Sequence, residues 1–203
     1  MRYSASSNRE LVEHLEQEGY IETERVEQAF LSVDRRDFVP EEARGRAYHD
    51  RPLPIGEDAT ISAPHMVALN TELLEVEDDN RVVEVGSGSG YQLTILSELA
   101  EEVHGVEIQP ELVKESRERL EDRENVTVHQ GSGLGPVDGD FDRILYSCAI
   151  ESPERARELL RDDGVIVAPV QGERGQVLKR FSNGEVEEHG RVRFVSFRHD
   201  GPV

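Results

Sequence analysis

The sequence predicts an α/β fold in which helices flank a doubly wound, mostly parallel sheet. Two observations lead to this prediction. From residue 81 onward, short apolar segments that suit buried strands alternate with segments of helical periodicity. At 203 residues, the chain has the length of one domain with its own core. Because consecutive parallel strands are joined by right-handed crossovers, this order builds a single open sheet.

Two helices are predicted to precede the sheet, within residues 7–33. Ser7 and Glu10 have the spacing of a capping box at the first helix, and Gly19 suits its end. Thr23 suits the N-cap of the second helix. These helices form an N-terminal addition to the sheet.

An irregular segment is predicted over Arg36–Gly56, which contains three prolines and shows little periodicity. Such segments are often functional when they lie near a site. Ser62 is then predicted to cap a helix whose first turn contains Pro64 and which ends near Val76. The apolar stripe of this helix is predicted to consist of Met66, Leu69, Leu73 and Leu74.

The remainder of the chain contains the predicted sheet. Its parallel strands are predicted over short apolar runs, namely Arg81–Val85, Val103–Ile108, Val126–His129, Arg143–Ser147 and Val165–Val170. The helices between them are predicted at Tyr91–Leu99, Pro110–Leu120 and Pro153–Leu160, with Gly164 ending the last. An antiparallel pair at one edge is predicted for Gln176–Phe181 and Val192–Phe197, around the turn Asn183-Gly184.

The charge balance is strongly acidic. The chain has 43 acidic and 23 basic residues, a net charge of −20, and Lys114 and Lys179 are its only lysines. An acid excess with scarce lysine is typical of proteins kept soluble in concentrated salt, so we expect a halophilic source. An acidic protein from a low-salt cell is the alternative. The sequence has no basic stripe that would neutralise phosphates, which argues against nucleic acid as a partner.

Composition also disfavours several other classes of protein. Cys148 is the only cysteine, so the sequence contains no disulfide framework, and the histidines show no metal-ligand spacing. The N-terminus has no apolar signal segment, and no apolar run reaches membrane length. We therefore expect a cytoplasmic protein that uses neither a metal ion nor a membrane.

A glycine-rich turn follows the first predicted strand of the sheet. Gly86, Gly88 and Gly90 lie where the chain passes from strand to helix, and ligands bind beyond the carboxyl ends of parallel strands. Glycines let the backbone approach a ligand closely, and a helix N-terminus carries a partial positive charge. Glu107 ends the second strand, where an acid can accept hydrogen bonds from both hydroxyls of a ribose. Together these features predict a cofactor that contains a nucleoside.

The spacing narrows the choice of cofactor. A dinucleotide fingerprint needs glycine or alanine at the position of Tyr91, which is too large for close helix–strand packing. No Gly-Lys-Ser/Thr follows the turn, so a Walker phosphate loop is absent from the sequence. The serine-hydrolase elbow fails because Val85 and Ser87 occupy the positions for its first glycine. The remaining pattern, a glycine turn with a ribose acid, is the one used by S-adenosylmethionine enzymes.

The chain resembles the protein-L-isoaspartate O-methyltransferase family over nearly its full length. The matching blocks are Arg36–Pro40, Ala47–Gly56, Ala59–Met66, Val83–Tyr91 and Asp163-Gly164 before the fifth strand. The second and third blocks are peculiar to this family among methyltransferases. The resemblance implies a methyltransferase sheet with an N-terminal helical addition. We expect one domain over residues 1–203, with a helical and substrate-loop region at 1–78 and a cofactor-binding core at 79–203.

The resemblance also implies the reaction. The methyl group of S-adenosyl-L-methionine passes to the α-carboxylate of an L-isoaspartyl residue in a damaged peptide or protein, and the ester closes to a succinimide that hydrolyses partly to aspartate. A carboxylate is already nucleophilic at neutral pH and the sulfonium is already activated, so alignment and partial desolvation supply most of the rate. Isoaspartyl peptides and proteins are the expected partners of a protein that we expect to be monomeric.

The matching positions imply the site residues. The family's active-site serine corresponds to Ser62, whose hydroxyl is expected to orient the substrate carboxylate. The expected substrate-binding residues are Thr60, Ile61 and His65. Arg36 and Arg51 are candidates for attracting an anionic substrate. The expected cofactor-binding residues are Glu84, Gly86, Ser87, Gly88, Glu107, Ile108, Gly131 and Ser132.

Some positions depart from the family's pattern. The family usually has Gly-Asp-Gly where this chain has Gly131-Ser132-Gly133, with the Asp reaching the adenine amino group, and serine is shorter and uncharged. Tyr146–Ala149 replaces a run of smaller residues near the substrate, and Ser196 replaces a usual proline. These departures leave two alternatives open, a methyltransferase with a diverged substrate and a non-catalytic paralogue that binds cofactor or damaged protein.

Overall fold

The computed structural model describes residues 5–197. Its helices are α1 (Asn8–Gln17), α2 (Glu24–Ser32), α3 (Pro64–Leu74), α4 (Tyr91–Ser97), α5 (Pro110–Arg119) and α6 (Glu154–Arg157). Its strands are β1 (Leu53–Gly56), β2 (Ala59–Ile61), β3 (Arg81–Val85), β4 (Glu102–Glu107), β5 (Val126–Gln130), β6 (Phe141–Tyr146), β7 (Leu160–Gly172), β8 (Gly175–Ser182) and β9 (Glu185–Val192). Within this range, no helix is both long enough and apolar enough to cross a membrane.

Seven strands form the central sheet, in the order β5-β4-β3-β6-β7-β8-β9. Strands β3 to β7 pair parallel, and β8 and β9 add antiparallel pairs at one edge. The strand order reverses at β3, whose neighbours are β4 on one side and β6 on the other. A crevice for a ligand is expected at such a switch point, beyond the carboxyl ends of the strands. The predicted fold class is confirmed.

Apolar residues fill the space on both faces of the sheet. Val82 packs in the cluster that includes the N-terminal helices, whereas Val83 and Val85 pack in the cluster on the opposite face. This division follows from the strand geometry, in which successive side chains point to opposite faces. Both N-terminal helices begin as predicted, because Ser7 and Thr23 accept hydrogen bonds from the backbone N–H groups of their first turns.

The predicted helix over Pro153–Leu160 is wrong in its length. Only Glu154–Arg157 is helical, and Gly164 lies inside β7 instead of ending a helix. The end of this segment joins the sheet, since Phe141 pairs with Leu160 and the Phe141 N–H donates to the carbonyl of Leu159 (2.7 Å). A short helix is only marginally stable, so strand pairing replaces it where a neighbouring strand offers backbone partners.

The second strand of the predicted edge pair is misplaced. β8 pairs with Glu185–Val192 and not with Val192–Phe197, because the turn at Asn183-Gly184 sets Ser182 opposite Glu185. Both turn residues have positive φ (52° and 78°), as tight hairpins require. Residues 193–197 instead run past the end of β6, where Ala149 exchanges backbone hydrogen bonds with Val195 and Phe197.

The predicted apolar stripe of α3 is only partly correct. Leu74 is fully buried, but Met66, Leu69 and Leu73 are half-buried. The residues buried most completely on this helix also include Val67, Ala68 and Thr71. α3 packs against α1 and α2 as well as β6 and β7. A helix enclosed from several directions buries more than one face, so its apolar periodicity does not identify the inner side.

The irregular segment before α3 contains short 3-10 helices at Arg35–Phe38 and Glu41–Arg46, and a buried arginine holds it in place. Arg35 is 0% exposed. Its guanidinium donates to the backbone carbonyls of Ala47, Arg51 (3.2 Å) and Ser62 (2.9 Å). Burial lowers the pKa of Arg35 to about 10, so the side chain stays charged at neutral pH. One cation thereby ties this segment to the loop before α3.

Replacing Arg35 tests this anchoring role. We expect Arg35→Met to lower the free energy of unfolding by about 3 kcal/mol, because three buried or partly buried carbonyls lose their donor. Urea denaturation measures the change. Arg36→Met is the matched control, since Arg36 is adjacent and exposed, and its expected effect is below about 0.5 kcal/mol. Equal effects of the two substitutions would contradict the anchoring role.

Candidate active site

Three adjoining cavities lie at the carboxyl ends of the parallel strands. The turn cavity is lined by the glycine turn after β3 and by the loops after β4 and β5. The inner cavity lies between the β2–α3 loop and the end of β3. The outer cleft, about 440 Å³ in volume, opens between the start of α3 and residues 191–195, the C-terminal arm. Thr60 and Ser147 line all three, so the cavities meet between these two residues.

The glycine turn has a backbone conformation that favours glycine. Gly86 and Gly88 have φ angles of 85° and 51°. The N–H groups of Gly86 and Ser87 both donate to the carbonyl of Val106 (2.8 and 3.2 Å), which ties the turn to β4. A Cβ added to Gly86 would already lie 3.6 Å from the side chain of Cys148. The turn therefore brings bare backbone to the wall of the turn cavity.

Glu107 ends β4 beside the turn, as its position in the sequence predicts. It is 7% exposed. One carboxylate oxygen accepts a hydrogen bond from the Gly88 N–H (2.9 Å), and the other accepts from the N–H groups of Ile108 (2.8 Å) and Gln109 (3.0 Å). These bonds hold the carboxylate rigidly at the wall of the turn cavity, where Oε2, which accepts only the Gly88 N–H, keeps further acceptor capacity.

Glu84 lies on β3 and lines the inner cavity, where it is 1% exposed. The Ser147 hydroxyl donates to its Oε1 (2.5 Å), whereas its Oε2 has no partner among the described residues. Burial raises the pKa of Glu84 most strongly, the Ser147 hydrogen bond lowers it, and the charge of Glu107 raises it again, to about 8. The raised pKa of Glu84 therefore favours the protonated carboxyl at neutral pH.

The prediction that Ser62 caps α3 is wrong. The N-cap is Ala63, whose side chain makes no capping bond. The Asp50 carboxylate supplies the cap from the irregular segment, accepting hydrogen bonds from the His65 backbone N–H (2.9 Å) and ring Nδ1 (2.8 Å). Because a remote carboxylate satisfies the helix terminus, the Ser62 side chain is left to line both the inner cavity and the outer cleft.

The Asp50–His65 pair orients the histidine at the outer cleft. Burial raises the pKa of Asp50, but the ring and backbone hydrogen bonds from His65 outweigh it and leave the pKa lowered. An ionised Asp50 accepts a hydrogen bond from Nδ1 of His65 and so fixes a proton on that nitrogen. Nε2 is then the ring nitrogen left for a further contact. The ring of Tyr20 packs against the imidazole, with centroids 5.2 Å apart.

The structure brings the predicted site residues together around the three cavities. Ser62 and His65 line the outer cleft, and Ile61 lines the inner cavity with its side chain in the core. Glu84 and Ser87 line the inner cavity. The predicted cofactor residues that line the turn cavity are Gly86, Gly88, Glu107, Ile108, Gly131 and Ser132.

Sequence reasoning missed several residues of the site. Asp50 lies in the Ala47–Gly56 block, but nothing in its spacing shows that it reaches α3. Ser147 belongs to Tyr146–Ala149, which departs from the family's pattern, and the sequence assigns it no role. Arg36 and Arg51 are not among the residues that line the outer cleft, and Arg191 and Arg193 lie there instead. The sequence does not predict that these arginines reach the outer cleft, because it places residues 192–197 in a strand of the sheet edge.

Comparisons with known proteins agree with this geometry. A family model described as protein-L-isoaspartate(D-aspartate) O-methyltransferase matches residues 6–200. A protein-L-isoaspartate O-methyltransferase of Methanopyrus kandleri is 43% identical over 91% of this chain and 88% of its own length. The protein of the same name from Ignicoccus hospitalis is 44% identical over 85% of this chain and 86% of its own.

A solved structure is similar over nearly the whole chain. It is a Plasmodium falciparum protein described as a protein-L-isoaspartate O-methyltransferase in complex with S-adenosyl-L-homocysteine. The TM-score is 0.86 at 26% identity, with 97% of this chain and 100% of the other covered. The similarity thus includes the N-terminal helices and the C-terminal arm as well as the sheet.

The cap supplied by Asp50 can be tested by Asp50→Asn. At neutral pH we expect the free energy of unfolding to fall by about 1–2 kcal/mol, because a neutral amide is a weaker acceptor for the α3 terminus and the imidazole. The folded pKa of this carboxyl is lowered. Its contribution is therefore present above the unfolded pKa and is lost as pH falls through the folded pKa. Urea unfolding at neutral pH and near about pH 3 measures the difference.

Asp122→Asn is the control, since Asp122 is exposed and lines none of the three cavities. It should change stability little at either pH. A difference between Asp50→Asn and the parent protein that stays the same from neutral to acid pH would contradict the role of the charge.

Proposed function

We propose a residue-level account of catalysis for this chain, which belongs to the protein-L-isoaspartate(D-aspartate) O-methyltransferase family. It is an S-adenosylmethionine-dependent protein carboxyl O-methyltransferase. It methylates the α-carboxylate of L-isoaspartyl residues in damaged proteins and so initiates their repair to aspartate. The observation that carries the account is the meeting of the turn cavity and the outer cleft at Thr60 and Ser147.

The turn cavity fits the cofactor, which supplies an activated methyl group on a sulfonium. Bare backbone at Gly86 and Gly88 allows close approach, and the Glu107 carboxylate is held where it can accept hydrogen bonds from ribose hydroxyls. Ile108, Gly131 and Ser132 border the same space and are proposed to contact the adenosine portion.

Buried polar atoms of residues that line the inner cavity support a polar ligand there. Glu84 Oε2 and Ser87 Oγ have no hydrogen-bond partner among the described residues. Buried polar atoms are rarely left unsatisfied, so they are proposed to bind the amino-acid portion of the cofactor. A cationic group near Glu84 would favour the ionised carboxylate and lower its raised pKa.

Ser62 is proposed to orient the substrate carboxylate by donating a hydrogen bond. The Arg35 guanidinium holds the Ser62 carbonyl at 2.9 Å, which limits rotation of the loop that carries the hydroxyl. Thr60 and Ile61 line the same passage. His65 lines the outer cleft and is proposed to contact the peptide through Nε2.

The acid excess and scarce lysine support a finer proposal about the setting. We infer that the protein works as a monomer in the cytoplasm of a salt-adapted cell. In concentrated salt, screening removes the self-repulsion that a net charge of −20 would otherwise cause. We also propose that residues 1–78 act as the substrate-loop region and residues 79–203 as the cofactor-binding core.

Methyl transfer from labelled S-adenosylmethionine tests the function and Ser62 together. In high salt, an isoaspartyl peptide should be methylated and its aspartyl twin should not. Ser62→Ala should lower kcat/KM by about ten- to a hundredfold, the effect of losing one hydrogen bond to a charged group. Ser32→Ala is the control, since its hydroxyl bonds within α2. Equal methylation of the two peptides would refute the function, and full activity of Ser62→Ala would refute the role of Ser62.

Ser132→Asp tests the adenine side of the turn cavity. We expect the dissociation constant for S-adenosylmethionine to fall by about three- to tenfold, because a longer charged acceptor makes a stronger hydrogen bond to the adenine amino group. Calorimetry measures it. Ser152→Asp adds the same charge at an exposed helix start outside the cavities and should leave the constant unchanged. Weaker binding by Ser132→Asp would place the adenine elsewhere.

A further inference from the structure

We propose that Arg191 and Arg193 form a second carboxylate-binding subsite in the outer cleft, which favours isoaspartyl peptides that carry another acidic group nearby. The proposal rests on the function proposed above and adds a substrate preference to it. The isoaspartyl α-carboxylate belongs beside Ser62. The second anionic group is therefore an acidic side chain or a free terminal carboxylate of the same peptide.

The lining of the outer cleft differs in charge from the rest of the protein. Among residues 5–197, twelve line the outer cleft and none of these is Asp or Glu, although the chain has 43 acidic residues among 203. Its charged members are Arg191 and Arg193. The turn cavity, by contrast, is lined by three acids, Glu57, Asp58 and Glu107. The two cavities thus present opposite charge, one suited to a cationic cofactor and the other to an anionic peptide.

Neither guanidinium has a competing partner in the part of the chain that the structure describes. Within residues 5–197, Arg191 and Arg193 make no side-chain hydrogen bond and no ion pair. The neighbouring strand shows the contrast, since Arg180 pairs with Glu75 (2.7 Å) and Glu187 (3.1 Å). An unpaired guanidinium keeps all five donors available, in a geometry that matches a carboxylate.

The C-terminal arm holds both arginines on one side. Arg191 and Arg193 are exposed, whereas Val192 and Phe194 are half-buried. This alternation is that of an extended chain, in which every second side chain points the same way. The Gln176 side chain anchors the arm, since it accepts from the Phe194 N–H (2.6 Å) and donates to the Phe194 carbonyl (3.1 Å).

The outer cleft is also larger than the methyl-accepting group requires. Its volume is about 440 Å³, the largest of the three cavities. About 10–15 Å³ of such cavity volume holds one water molecule, so a single carboxylate fills a small part of the cleft. The remaining space is available to residues that flank the isoaspartyl residue, and the two arginines border that space.

Matched peptides test the subsite. Two pairs of isoaspartyl peptides carry Glu or Gln, placed before the isoaspartyl residue in one pair and after it in the other. At moderate salt, we expect kcat/KM for the Glu peptide of at least one pair to exceed that of its Gln twin by about five- to tenfold, the effect of a charge-assisted contact. In Arg191→Gln/Arg193→Gln this ratio should fall close to one. Added salt should lower it in the parent protein.

Arg9→Gln/Arg174→Gln is the matched control. It removes the same two charges, and both residues are exposed and line none of the three cavities. It should keep the parent ratio. A ratio near one in the parent protein for both pairs would overturn the subsite. A Glu-to-Gln ratio in Arg191→Gln/Arg193→Gln equal to that of the parent protein would also overturn it. So would an equal fall in kcat/KM for the Glu and Gln peptides, which would mean that the arginines bind the α-carboxylate itself.

The design separates this proposal from the proposed function. Methylation of the Gln peptides by itself reports the isoaspartyl activity, whatever the Glu-to-Gln ratio. Equilibrium binding of the same peptides, labelled for fluorescence anisotropy and measured without turnover, reports the subsite independently. If no peptide is methylated, the proposed function fails, and the binding ratio still decides whether the two arginines select an acidic group.

Discussion

The site depends on one buried cation that has no acidic partner among the described residues. Arg35 directs its donors to backbone carbonyls of Ala47, Arg51 and Ser62. Bonds to carbonyls fix the direction of the backbone, so the loop that carries Ser62 is held against the segment before it. The same segment delivers Asp50 to the first turn of α3. Because Asp50 caps the helix, the Ser62 hydroxyl is not needed as a cap, and Ser62 lines the cavities.

The cofactor side of the crevice and the outer cleft differ in charge, although the protein as a whole is strongly acidic. Glu84 and Glu107 stand at the ends of adjacent strands, and their mutual repulsion adds to the burial that raises the pKa of Glu84. The outer cleft lies a short distance away, and none of the described residues that line it is acidic. Opposite local charge within one crevice suits a reaction that joins a cationic donor to an anionic acceptor, since each is attracted to its own side.

Much of the fold and of the cofactor side could be predicted from the sequence because the signals are local. The glycine turn after β3 and Glu107 at the end of β4 lie where predicted, since parallel strands bring their carboxyl ends to one edge. The same locality explains the failures. The helix predicted over Pro153–Leu160 gave way to strand β7 because Phe141 offered backbone partners that no local pattern reveals.

The sequence by itself determined the order of the parallel strands, the glycine turn, the acid that follows it and the serine before α3. Tertiary structure alone decided that Asp50 caps α3, that Arg35 holds the Ser62 carbonyl, and that the C-terminal arm brings Arg191 and Arg193 to the outer cleft. The physical reason is separation along the chain. Periodicity and turn chemistry act over a few residues, whereas these contacts join segments brought together only when the sheet and its loops have formed.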